Sequence, residues 1–153
     1  MLNMNRQKIT IGIVSVTILC MGGMTACGKT QTSETLVAEA KQYQQKGDNK
    51  AAIIQLKNAL QKTPEDAEVR YILGTIYNET ADFPSAEKEL RKALSLGMNP
   101  AKVSSDLGKT MLMQGKFQAV LDEIKQVPGE KESAEISVLH GNAYLALGKG
   151  KEA

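Results

Sequence analysis

The stretch Leu73-Gly74-Thr75-Ile76-Tyr77, with Ala81-Asp82, Ala86, Leu90 and Ala93 behind it, decides the fold. It recurs along the chain. Thirty-four residues upstream stand Ala40, Tyr43, Gly47-Asp48, Ala52, Leu56 and Ala59. Downstream, Gly108 follows Gly74 by 34 residues, and Gly141 follows Gly108 by 33. Leu73-Gly74, Leu107-Gly108 and His140-Gly141 are trailed three residues after the glycine by Tyr77, Met111 and Tyr144. A fixed period of this length is the mark of stacked supersecondary units, each unable to bury its apolar face alone. A generic helical bundle would not keep it. The repeats run 33–66, 67–100, 101–133 and 134–153, the last one incomplete.

The pattern resembles the tetratricopeptide repeat (TPR), in which each unit is two antiparallel helices, A and B. The resemblance implies an all-α, right-handed superhelical solenoid. Small residues (Ala40, Gly74, Gly108, Gly141, Ala52, Ala86) are expected where helix backbones approach, and large ones fill the space between repeats. The helices are expected at 34–46, 50–62, 67–80, 84–96, 101–114, 117–126 and 134–147. Gly47 and Gly115 should end A helices at positive φ, and Pro64 should stop a B helix. Val127-Pro128-Gly129 truncates the third B helix. The chain ends where a fourth B helix would begin, so residues 134–153 are expected to leave apolar surface uncovered.

Composition agrees with packed helices: Trp is absent and aromatic residues make up 4%. The net charge of +2 is that of Arg6 and Lys8, in a first stretch without acids, so the remainder is formally neutral. A neutral chain gives no basis for a nucleic-acid partner, which needs clustered Lys and Arg. The two cysteines, Cys20 and Cys27, make neither a disulfide framework nor a zinc site. His140 is the single histidine, in a place normally taken by a packed Leu, so a structural role is expected. Glu65-Asp66 and Asp122-Glu123 fit helix starts or exposed faces, and no glycine loop is built to cradle phosphate. No catalytic residue, metal site or cofactor is expected.

The first 26 residues read as a secretory signal: a basic start, an apolar core over Ile9–Leu19, then small residues. Met24-Thr25-Ala26-Cys27 resembles a lipobox, with Met where Leu is commonest. It implies lipidation at Cys27, residues 27–33 forming the lipidated cysteine and tether, and a repeat array over 34–153. Cys20, after the bulky Leu19, fits cleavage worse and would leave with the signal. Acyl chains contribute about 0.8 kcal/mol per buried methylene, enough in combination to hold a domain on a bilayer. Gly28, where Asp would favour inner-membrane retention, implies the periplasmic face of the outer membrane of a Gram-negative bacterium.

A narrower resemblance lies in Asp48–Lys62 and in Glu87-Lys88-Glu89-Leu90-Arg91-Lys92-Ala93-Leu94. These are similar to TPR lipoproteins of the PEP-CTERM (exosortase) system, which implies a scaffold in exopolysaccharide production or protein sorting. An assembly lipoprotein of a secretion or pilus machine, or the scaffold of a longer enzyme, are the other readings. Family geometry places the partner surface on the concave side of the A helices. Lys41, Gln44, Gln45, Tyr71, Thr75, Asn78, Lys102, Asp106, Lys109 and Asn142 are its polar candidates. The same face turns apolar toward the C terminus with Leu112, Met113, Val138, Leu139 and Leu145. The Lys and Asn places that clamp a chaperone's terminal carboxylate hold Val37, Ile72 and Asp106, so that partner is not implied.

Overall fold

The computed structural model describes residues 31–124 and 134–151; the signal segment, Cys27 and the start of the tether lie outside the described residues. Seven helices follow one another: α1 (Ser33–Gln45), α2 (Asn49–Lys62), α3 (Ala67–Glu79), α4 (Phe83–Ser95), α5 (Pro100–Met113), α6 (Phe117–Glu123) and α7 (Ala134–Ala146). No strand occurs among the described residues. The helices pair as α1 with α2 and α3 with α4, while α3 also packs on α2 and α5 on α4. This is the expected stacking of two-helix repeats into a solenoid.

Local chemistry starts and stops each helix. Asp48, Asp66 and Asp82 accept hydrogen bonds from the backbone N–H groups of Ala51, Val69 and Ser85. Such N-caps are worth about 1 kcal/mol each. Thr32 caps α1, so the last tether residues already belong to the fold. Asn99 caps α5, and Pro100 opens that helix instead of closing the preceding repeat. Each A helix ends by the same reversal. Asp48 N donates to Tyr43 O at 2.9 Å, Asp82 N to Tyr77 O at 2.9 Å, and Lys116 N to Met111 O at 2.9 Å. The residue before each donor has positive φ: Gly47 at 75°, Ala81 at 59° and Gly115 at 73°. Ala81 holds the left-handed conformation without being glycine, at a cost of about 1 kcal/mol or more.

Gly74 marks the closest crossing. A Cβ placed there would lie 2.8 Å from Leu90 Cγ and 3.3 Å from the Leu90 amide nitrogen. Ala52, Leu56, Ala59, Ala86, Leu90 and Ala93 are fully buried. One core cluster runs from Leu36 to Ala86, and a second begins at Leu90 and takes in Val103, Leu107, Met111, Val120, Ile136 and Leu139.

The third repeat departs from the other two. α6 spans seven residues and stops at Glu123, before the expected 126; residues 125–133 lie outside the described residues. Its N-cap place, 34 residues after Asp82, holds Lys116, which makes no capping bond. A cation there opposes the helix dipole. Ile124, in extended conformation, ends the helix, and its carbonyl accepts from His140 Nε2 at 2.5 Å. His140 is therefore structural: it satisfies a carbonyl at the C-terminal end of a shortened helix. Gly108 meets Leu139 of α7 at 2.7 Å, not its own B helix. Nothing lies within 4 Å of a Cβ at Gly141, which is not a close-packing position here.

The repeats are also joined by ions. Glu87 is buried and accepts from Arg91 at 2.9 Å, Gln114 at 2.7 Å and Lys116 at 2.5 Å. Arg91 continues to Glu123 at 2.6 Å. This links α4 to the α5–α6 turn and to α6. Arg70 joins Glu89 at 2.6 Å and the Pro64 carbonyl at 2.7 Å.

Two outcomes are expected. Gly74→Ala should destabilise by about 1–3 kcal/mol through overpacking. Gly141→Ala should stabilise by about 0.5–1 kcal/mol through helix propensity alone. Urea melts giving the same sign for both would refute the assignment of the crossing. Burial raises the Glu87 pKa, but the bonds from Lys116, Arg91 and Gln114 outweigh it and hold the carboxyl below its ordinary value of 4.5. A lowered carboxylate stabilises the fold above its ordinary pKa, and that contribution is lost as pH falls toward the folded value. The stability advantage of wild type over Glu87→Gln should therefore shrink between about pH 6 and pH 3; a constant difference would show that the charge is not what matters.

Candidate functional site

The A helices α1, α3, α5 and α7 present the expected face. On it the polar candidates do not stand apart; they hold one helix to the next. Gln44 Nε2 donates to Glu79 Oε1 at 3.1 Å. Tyr71 donates its hydroxyl to Asp106 at 2.7 Å. Lys102 lies 4.4 Å above the Tyr71 ring and 3.7 Å from Glu68. Thr110 donates to Asn78 at 2.9 Å, and Ser105 to Glu135. Burial, then the bond to Asp106 and the charges of Asp106 and Glu68, raise the Tyr71 pKa, so its hydroxyl stays protonated and keeps donating. Lys41 lines a separate hollow with Glu34, Val37, Ala38 and Glu68. Gln45 is exposed at the end of α1.

Two adjoining grooves bring the remaining candidates together. One, of about 330 Å³, lies between α3 and α5 and is lined by Thr75, Asn78, Glu79, Phe83, Asp106, Lys109, Thr110 and Met113. The other, of about 430 Å³, lies between α5 and α7 and is lined by Lys109, Leu112, Met113, Ala134, Glu135, Val138, Leu139 and Asn142. Lys109 and Met113 belong to both. Met113 and Val138 are 65% and 62% exposed, which is unusual for large apolar side chains and marks an interaction surface. The sequence ranks the polar places of this face first, whereas the structure puts the open apolar surface at Leu112, Met113 and Val138. Phe83 and Thr110 line the first groove without an advance signal: Phe83 opens a B helix, and Thr110 falls outside the A-helix places of the face.

Among the described residues no cluster of His, Cys, Asp and Glu is arranged to hold a metal ion, and no helix is long and apolar enough to cross a membrane. Residues 43–105 match the tetratricopeptide-repeat family. The solenoid is a tetratricopeptide-repeat fold.

Among solved structures, the crystal structure of MamA is similar, at 27% identity and a TM-score of 0.68 over 78% of this chain and 71% of that one. The first TPR of Spaghetti (RPAP3), bound to the HSP90 peptide SRMEEVD, shares the fold at 19% identity and a TM-score of 0.66, over 77% and 94% of the two chains. No curated protein matches the chain by sequence. A tetratricopeptide fold makes a protein–protein interaction scaffold, and its A-helix face here carries the two joined grooves.

The groove is separable from the fold. Met113→Asp and Val138→Asp should change stability by no more than about 0.5 kcal/mol, as surface substitutions do. Leu139→Ala, 3% exposed beneath them, should cost about 2–5 kcal/mol. Thermal melts in which Val138→Asp costs as much as Leu139→Ala would mean that the groove is core.

Proposed function

We propose that the chain is an exported, lipid-anchored scaffold that gathers protein partners on the A-helix face of its TPR array. The observation that carries this reading is the open apolar groove between α5 and α7, with Met113 and Val138 exposed above a buried Leu139. A wall of this kind gives affinity through apolar burial, and the polar groups at its rim give orientation. A neighbour of the same fold holds a peptide, which supports a peptide-like partner. The HSP90-type terminal carboxylate is not the expected ligand, because Val37, Ile72 and Asp106 replace the clamp's cations and amides.

The lipobox-like Met24–Cys27 supports attachment through Cys27, and Gly28 supports the periplasmic face of the outer membrane. The likeness of Asp48–Lys62 and Glu87–Leu94 to the PEP-CTERM lipoproteins supports a place in exopolysaccharide production or PEP-CTERM protein sorting.

A photocrosslinking residue in place of Met113, compared with one in place of Lys92 on α4, tests the binding face in the intact cell envelope. Adducts specific to position 113 and abolished by Val138→Asp are expected. Equal labelling from both positions would refute a partner site on this face. Cys27→Ala should move the protein from the membrane to the soluble periplasmic fraction; continued membrane partitioning would refute the anchor.

A further inference from the structure

The charge of the joined grooves selects among partners, an inference that rests on the peptide-binding reading above. Their lining holds three carboxylates, Glu79, Asp106 and Glu135, against one ammonium, Lys109, a net charge of −2. Lys109 is already shared, 3.9 Å from Asp106 and 4.0 Å from Glu135. The other groups bound to these acids are neutral. Glu79 accepts from the amides of Gln44 at 3.1 Å and Asn49 at 3.3 Å, and Asp106 from the Tyr71 hydroxyl. The acids are therefore satisfied as hydrogen-bond acceptors but not neutralised as charges. They are not evenly spread. Glu79 and Asp106 line the α3–α5 groove, whereas Leu112, Val138 and Leu139 line the α5–α7 groove.

We propose that the partner is a peptide segment with an order along its length: large apolar side chains that enter the α5–α7 groove, followed by Lys or Arg side chains that lie over Glu79 and Asp106. Apolar burial supplies the affinity. The carboxylates supply the choice, because an acidic segment seated on the same apolar anchor would face like charge across the groove. The surface being exposed, the discrimination is screened by salt.

Selection of random twelve-residue peptides on the full chain, immobilised through its N terminus, tests this. A parallel selection on Met113→Asp/Val138→Asp removes peptides that bind elsewhere. Enriched sequences should pair apolar residues with basic ones on one flank. Their affinity should fall roughly tenfold in the variant Glu79→Gln/Glu135→Gln, which keeps shape and hydrogen bonding. It should fall similarly on the unaltered chain as salt shortens the Debye length from about 10 Å to about 3 Å. Enrichment of apolar peptides with acidic or uncharged flanks would overturn the charge inference and leave the peptide-binding reading standing. No enrichment dependent on Met113 and Val138 would overturn both.

Discussion

The contact between Gly74 and Leu90 is the constraint on which the rest of this solenoid depends. Without a side chain at residue 74, α4 lies against α3 closely enough for Leu90 to sit over the helix backbone. Leu90 is also the first member of the second core cluster, with Val103 and Leu107 of the next repeat. One leucine thus closes its own helix pair and carries the core onward. Burying such a side chain is worth about 1.5–3 kcal/mol, and the gain is shared by two repeats. Neither cluster is large enough to stand as a separate globular core, so the repeats gain stability by adding to one another.

The fold was legible because this constraint leaves marks at fixed spacing. Small residues at 40, 74 and 108, Asp at 48 and 82, and a turn residue at 47, 81 and 115 are each a separate physical requirement repeated. Agreement among independent requirements is what makes a sequence specify one structure. Ala81 shows the strength of this: the turn geometry imposes positive φ on a residue that disfavours it. Where a mark is missing, the structure changes. Lys116 stands in place of a capping Asp, and α6 is short; the next A helix then closes over Gly108, with Leu139 in the place that Leu90 has over Gly74. The role of His140 could not be read from spacing, because it answers a carbonyl exposed by that shortening.

The binding face was legible as a set of places and less so as a set of roles. Periodicity assigns residues to a side of a helix, but it does not say which polar side chains are consumed by neighbours. Tyr71, Asp106, Lys102, Asn78 and Gln44 are at the right places, and each has a partner on the next helix or in the next repeat. Long polar side chains one repeat apart meet naturally when A helices run side by side. The apolar places have no such option. Met113 and Val138 find nothing to bury them among the described residues, so the surface left open is the apolar part.

The two ways in which the repeats are tied differ in strength, and that difference bears on function. Glu87 and Glu89 are largely shielded, and each is held by short bonds to guanidinium, ammonium or amide groups. Removing one partner from a shielded charge is costly, so these ties fix how α4 meets its neighbours. The ties across the A-helix face are of another kind. Lys102–Glu68 and Lys109–Glu135 are long and about half-exposed or more, and pairs of that sort are worth about 0–1 kcal/mol. A ligand that offers its own cation to Glu135 or its own donor to Asp106 gives up little by displacing them. The register of the repeats is thereby held away from the face that binds, and the face itself can exchange its internal bonds for those of a partner without loosening the core.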